Sequence, residues 1–355
     1  MTKTEKYINP KELEIYIKAL FVAAGMNNDN ATFSASCMVK TNLWGIDSHG
    51  VLRMPIYLKR ILSGGINANP TISPVSKFSG PTALLDGESG IGYVVGGAGM
   101  NLAIEKATKY GIGMILVRNS NHFGAAALYA RQAVEAGFIG IATTNVVPNM
   151  GMKGNVKPTT GNNPMALAAP LEEKFPFVLD ISSSSVAGGK LLLAAKKNEK
   201  IPKDWAVTQE GKETDDPTLG FAGFLLPMGL HKGFGLALFI DLLTGVLSGG
   251  PYLHGLKSMY KYVDVPSLVS HLFIAINPNI FLSKEEYSER VKDWAAQIHA
   301  TKMVNPSEMQ IIPGEIEFKN EQERIKKGIP IPIELINDLK SYSKKLKVEF
   351  PAVFH

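Results

Sequence analysis

Apolar positions change period several times along the 355-residue chain, and each change marks an element. Leu13, Ile17, Leu20, Phe21 and Ala24 recur at helical spacing. Asn9 stands ahead of them as a cap, with Pro10 at the first helical position, Glu12 placed for a capping box and Gly25 as the stop. A second helix is predicted over residues 31–44, leading into a polar stretch at 47–57. From about residue 79, short apolar runs alternate with longer ones. They predict strands at 82–85, 114–117, 139–144, 177–181 and 271–276. Helices fall between them: one opened by the glycines at 90–99 and closed at Gly111, then 125–136, 185–195 and 235–247. Such alternation predicts an α/β layer architecture. The segment 198–220 is polar and turn-rich and reads as a surface excursion. After Pro278 helical spacing returns. Ser283 and Glu286 form a capping box ahead of Tyr287, Val291, Trp294, Ala295 and Ile298, and a lysine-rich helix follows at 333–346. The simplest partition is a helical domain from 1–78 with 280–355, around an α/β domain at 79–279.

Composition narrows this picture. The formal charge of +5 is mild and is not gathered into a basic block interleaved with aromatics, which argues against nucleic acid and suits anionic small molecules. Cys37 is the only cysteine, so an intrachain disulfide and a cysteine zinc cage are excluded, and no metal site is expected. The first residues lack the apolar core of a signal peptide. The longest apolar run, 234–247, is broken by Asp241 and is too short for a bilayer. A cytoplasmic protein with no membrane partner is the expectation.

Candidate chemistry concentrates at residues 47–57, Asp-Ser-His-Gly-Val-Leu-Arg-Met-Pro-Ile-Tyr. An imidazole beside a guanidinium fork is what redox chemistry on a small oxo acid requires: His49 to move a proton, Arg53 to hold the acid group. A capped helix start, with Ser48 as the cap and Arg53 in a salt bridge, would account for the same residues. His122, in Arg118-Asn-Ser-Asn-His-Phe-Gly124, lies between a strand and a helix, where α/β proteins collect ligands. Asp180-Ile181-Ser182, with further serines to Ser185, follows another strand; its hydroxyls suit a phosphate and Asp180 suits ribose. His231-Lys232 opens an apolar helix and could meet a pyrophosphate. Two patterns mislead. Gly90-Ile-Gly-Tyr-Val-Val-Gly96 misses the G-x-G-x-x-G spacing and no acid follows Val117, so close helix packing explains it better. Gly188-Gly-Lys190 is followed by Leu191 where a phosphate loop needs Ser or Thr. His254, His271 and His299 carry no signal individually.

Taken in order, several motifs resemble the malate/L-lactate dehydrogenase family of the non-Rossmann type over about residues 13–335. They are Asp47-Ser-His-Gly-x-x-Arg-x-Pro-x-Tyr57, Arg118-Asn-Ser-x-His-Phe-Gly124, Gly161-x-Asn-Pro164 and Asp180-x-Ser182. To these add His231-Lys-Gly-Phe-Gly-Leu-Ala237, His271-x-Phe-Ile-Ala-Ile276 and Pro313-Gly-Glu315. The family's relatives include ureidoglycolate dehydrogenase, sulfolactate dehydrogenase, diketogulonate reductase and a cyclic-imine carboxylate reductase.

The resemblance implies a mixed-sheet NAD(P)-binding α/β domain unlike the doubly wound one, a helical domain from both chain ends, and a homodimer with sites near the subunit contact. It places cofactor contacts at Asp180, Ile181, Ser182, His231, Lys232, Pro313, Gly314 and Glu315, and substrate contacts at Ser48, Arg53 and Tyr57. Either His49 or His122 is the proton donor; Ser48 and Arg53 flank His49 and give it the stronger claim. The cofactor is NAD or NADP, and Asp180 favours NAD. Malate/oxaloacetate is the leading substrate pair, with ureidoglycolate, lactate or a cyclic imine acid as alternatives. From another class, a silent dinucleotide-binding protein of the same fold would also fit, though intact His49, Arg53 and His122 argue against it. One departure stands out: Val146-Val147 occupies positions where relatives often carry serines, so a hydroxyl contact is missing there.

Overall fold

The computed structural model describes residues 5–75, 80–171 and 173–354. The expected domain boundary at 78/79 falls on residues outside that set. The chain ends are tied together. Strand β1 (Glu5–Ile8) pairs antiparallel with Ile329–Pro332, placing Ile8 opposite Ile329. Helix α1 (Pro10–Ala23) is capped by the Asn9 side chain, which accepts from the Lys11 and Glu12 amides, and it buries Leu13, Ile17, Leu20 and Phe21 as their spacing requires. Helix α2 (Asn28–Leu43) begins ahead of its predicted start because the Asn27 side chain accepts from the Asn30 amide and caps it. Helix α3 (Met54–Leu62) follows the polar stretch, which winds through two 3₁₀ turns, Asp47–His49 and Val51–Arg53.

The central sheet has seven strands. Its spatial order is β2 (Ser73–Pro74), β3 (Thr82–Asp86), β4 (Ile112–Ser120), β10 (Val269–Ile276), β5 (Ile139–Thr144), β6 (Met165–Ala169) and β7 (Phe177–Ile181). Only β3 and β4 run parallel; the other neighbours are antiparallel. This mixed sheet differs from the doubly wound parallel arrangement, as expected. The two-residue strands β8 (Ala206–Val207) and β9 (Phe224–Leu225) pair outside it, and β11 is the Ile329–Pro332 partner of β1. Strand β6, Met-Ala-Leu-Ala-Ala, escaped the sequence reading because it has no β-branched residue. Pairing on both sides makes it a strand, with Ala166 between Ala142 and Asp180.

Helices α4 (Gly92–Tyr110) and α5 (Ala127–Glu135) cover one face of the sheet, and α2 packs over both. The glycines of α4 allow this approach. A Cβ at Gly96 would lie 2.5 Å from the Tyr129 ring, and one at Gly99 2.5 Å from Phe273. Close packing therefore accounts for the glycine pattern. Helix α6 (Gly188–Lys197) starts later than its apolar pattern suggests, because the Ser185 amide is committed to the Leu226 carbonyl. After the short α7 (Pro217–Ala222), α8 (His231–Asp241) opens ahead of its predicted start and widens into a π turn at Leu242–Val246. Helix α9 (Lys284–His299) has the full Ser283/Glu286 capping box and lies against the outer strands, Trp294 edge-on to Phe177. Helix α10 (Glu315–Lys327), too charged to show a wide apolar face, was not foreseen; α11 (Ile333–Leu346) was. A hydrogen bond of 2.6 Å between the Tyr16 and Ser343 hydroxyls joins α11 to α1. Among the described residues no helix is long and apolar enough to cross a membrane.

Candidate active site

The two 3₁₀ turns exist because Asn42 and Arg324 hold them. The Asn42 side chain accepts from the Val51 amide at 2.8 Å and donates to Asp47 at 2.5 Å. Gly50 must be glycine there, since a Cβ would sit 2.1 Å from Asn42 Oδ1. Arg324, on α10, grips Asp47 with both terminal nitrogens, at 2.6 and 2.9 Å. Asp47 is thus a structural anchor, and the residues after it are aimed.

Ser48, His49, Arg53, Tyr57 and His122 come together. Ser48 Oγ is 2.9 Å from His49 Nδ1, and Arg53 Nε donates to the Ser48 carbonyl at 2.6 Å. The His49 and His122 rings lie nearly parallel, 21° apart, with centroids separated by 5.7 Å. Tyr57 is buried on α3 and its hydroxyl is 2.6 Å from His122 Nδ1. The Gly124 amide approaches the same nitrogen at 3.4 Å. An amide can only donate, so Nδ1 is the acceptor, Tyr57 donates to it, and the neutral ring carries its proton on Nε2. Tyr57 holds its own proton firmly, because burial raises its pKa. The Tyr93 hydroxyl donates to the His49 carbonyl at 3.2 Å and its ring meets Tyr57 edge-on.

Both imidazoles are biased towards the neutral form. Burial, then the Arg53 charge, lowers the His49 pKa to about 4. His122 is pushed well below the usual range, again by burial first, then by the positive charges of His49 and Arg53.

A second set gathers where β7 ends. Asp180 accepts from the Ala127 amide at 2.9 Å, at the start of α5, and burial raises its pKa to about 6. Ile181 follows, and Ser182 Oγ is 3.0 Å from Ser184 Oγ. Pro313 runs beside β7, its carbonyl accepting from the Val178 amide at 2.9 Å. Gly314 has φ +104° and presses against the Pro176 carbonyl, a combination only glycine meets easily. Glu315 opens α10 and is paired with Lys319 at 3.0 Å. His231 and Lys232 stand exposed at the start of α8, which packs onto this set through Gly233, where a Cβ would lie 2.4 Å from the Ser183 carbonyl. The two sets are linked through the segment after His122, whose Ala127 amide donates to Asp180, and α6 reaches the first set at Gly189, where a Cβ would be 3.8 Å from Ser48 Cβ. A carboxylate, hydroxyls and an ammonium group are chemistry suited to ribose and pyrophosphate, whereas the Lys232 and Gly233 amides opening α8 are already committed to the Gly229 and Met228 carbonyls. A groove of about 760 Å³ between α9 and the outer strands, lined by Phe177, Tyr287 and Trp294, contains none of these groups. Among the described residues no cluster could hold a metal ion.

Sequence reasoning missed Tyr260, whose hydroxyl contacts Arg53, and Arg60, buried and bonded to Asn121. Arg60 had a signal, lying two helical turns after Arg53. Tyr260 had none, since only folding brings residue 260 to residue 53. His271, also without individual signal, lies in the core with its ring parallel to Phe123 at 4.6 Å.

Comparison with known proteins gives the family. The family model described as malate/L-lactate dehydrogenase matches residues 8–340. The malate dehydrogenase of Pyrococcus abyssi is 40% identical over 356 residues, 97% of each chain. The solved sulfolactate dehydrogenase of Methanocaldococcus jannaschii superposes with a TM-score of 0.90 at 36% identity, covering 97% of this chain and 98% of that one. The ureidoglycolate dehydrogenase (NAD(+)) of Escherichia coli is 32% identical over 94% of each chain. The chain is therefore an oxidoreductase, an NAD(P)-dependent dehydrogenase of 2-hydroxy acids. It belongs to the malate/L-lactate dehydrogenase family, whose members use NAD or NADP.

Proposed function

We propose that the enzyme interconverts malate and oxaloacetate, with NAD as the preferred cofactor. The observation that carries this reading is the pair of facing imidazoles beside the Arg53 guanidinium. When bound, the nicotinamide exchanges a hydride with C2 of the acid. Asp180, Ile181, Ser182, His231, Lys232 and the Pro313–Gly314–Glu315 turn would hold the dinucleotide. Arg53, with Ser48 beside it, fixes the carboxylate, while Tyr57, its hydroxyl engaged with His122 Nδ1, sets that imidazole and does not hold the acid group.

The histidines do the proton work. In the oxidation direction a neutral imidazole is the form needed to accept the hydroxyl proton, and burial supplies it. For reduction an imidazolium is required, and the Arg53 charge opposes it. A bound carboxylate neutralises that charge, so substrate binding itself raises the histidine pKa values. Of the two, we assign the direct proton transfer to His122, moving the weight that the sequence placed on His49. In the resting tautomer Nε2–H can only donate to the substrate oxygen. To take the hydroxyl proton at Nε2, His122 shifts to the tautomer protonated on Nδ1, with the rotatable Tyr57 hydroxyl turning to accept from Nδ1–H. The imidazolium so formed gives the proton back from Nε2 in reduction. His49, steadied by Ser48, then positions the substrate oxygen. Two adjacent imidazoles do not share a proton equally, since imidazolium charges repel.

A homodimer fits the surface. The outer side of α8 and its π turn exposes Leu238, Phe239, Leu242, Val246 and Leu247, an apolar stripe beside the cofactor residues His231 and Lys232.

The test is a panel of 2-oxo acids assayed with NADH and NADPH, including oxaloacetate, pyruvate and sulfopyruvate, followed by kcat against pH for His49→Ala and His122→Ala. Oxaloacetate with NADH should give the highest kcat/KM. His122→Ala should lose one limb of the pH profile and about 10²–10⁴ in rate, while His49→Ala mainly raises KM. A higher kcat/KM on another acid replaces malate, and a limb lost only in His49→Ala reverses the assignment.

A further inference from the structure

Arg53, the residue immediately ahead of helix α3, and Arg60, about two turns further on within it, treat one loop differently. Arg60 is 1% exposed, and all five of its hydrogen bonds among the described residues go to oxygens of carbonyl groups. Its Nη1 donates to the carbonyls of Met259 at 3.3 Å and Tyr262 at 2.8 Å. Its Nη2 donates to the carbonyls of Gly65 and Val265 and to Asn121 Oδ1, at 2.9, 3.0 and 2.8 Å. The close approach depends on Gly65, where a Cβ would lie 2.2 Å from the Val263 carbonyl. The loop is thus bolted to α3 on both sides of residue 260.

Between the bolts Tyr260 projects, 58% exposed. Its hydroxyl is in hydrogen-bond contact with Arg53 Nη1, and the guanidinium carbon is 5.8 Å from its ring centroid. Arg53 Nε is already committed to Ser48, while Nη2 has no hydrogen bond among the described residues. A phenol that accepts from a guanidinium still has its own proton to give. Because Arg60 holds the loop, a carboxylate that enters the Arg53 fork meets that phenol.

We propose that Tyr260 is a substrate-contact residue that donates its hydroxyl to the carboxylate held by Arg53 and closes that end of the site. This rests on Arg53 as the carboxylate clamp. The contact is to the group that all 2-oxo acids share, so it strengthens binding of the whole class and does not choose among side groups.

Steady-state kinetics of Tyr260→Phe, which keeps the ring and removes only the hydroxyl, test it beside Arg53→Lys. Tyr260→Phe should raise KM about tenfold with kcat within about twofold, equally for oxo acids of different side groups. The Kd for NADH should stay at the wild-type value and certify the fold. A KM that is unchanged or lower would show that the phenol only rests on an empty clamp, and overturns the proposal. A rise confined to one acid overturns it too, by placing Tyr260 at the side group. Loss of kcat/KM in Arg53→Lys with wild-type behaviour in Tyr260→Phe defeats this proposal alone. Wild-type kinetics in both defeats the clamp as well.

Discussion

Replacing His271 with leucine should make the protein less sensitive to acid. His271 is fully buried, and its Nδ1 is 2.8 Å from Thr144 Oγ1. Its Nε2 has no hydrogen-bond partner among the described residues. Burial lowers its pKa from 6.5 to about 3, against a smaller opposing pull from the Asn121 backbone. As pH falls below 6.5, the unfolded chain takes up a proton at this residue and the folded chain does not until about pH 3. The unfolded state therefore binds more protons throughout that window, and stability is lost as pH falls through it. At pH 5 the unfolded imidazole is charged and the folded one still neutral, a difference of about 2 kcal/mol relative to pH 7.5. The leucine variant strands no donor, because the Thr144 hydroxyl retains the Ser270 carbonyl at 3.0 Å. Urea unfolding of both proteins at pH 7.5 and pH 5.0, at one protein concentration, reads the effect. Wild type should lose about 2 kcal/mol more than the variant on acidification. His49 and His122 are present in both and cancel in the comparison. Equal pH dependence in the two proteins would refute the argument, whatever the variant's stability at neutral pH.

Two further outcomes follow from packing and charge. Gly96→Ala should cost about 1–3 kcal/mol in thermal or urea unfolding, because its Cβ meets a Tyr129 ring tethered to the Phe123 carbonyl. Its affinity for NADH per folded molecule should match wild type, and unchanged stability would show that the ring yields. Lys232→Ala should raise the Kd for NADH about tenfold by fluorescence titration, for loss of a charged contact to pyrophosphate, and equal affinity removes that assignment.

What the sequence determined by itself is local. The caps at Asn9 and Ser283 and the strands at 139–144 and 177–181 could be read because neighbours within a few residues set them. The residue types around His49 and His122 were legible as chemistry, and the ordered motifs named the family. The failed spacing at Gly90–Gly96 pointed correctly to packing. Tertiary structure decided what depends on distant partners. Strand β6 has weak intrinsic preference and exists because β5 and β7 flank it. The role of Asp47 as an anchor needed Arg324, from the far end of the chain. The tautomer of His122 needed Tyr57, and the environment of Arg53 needed Tyr260. Local signals record what a residue can do; burial and partners, which sequence spacing does not encode, set its protonation and direction.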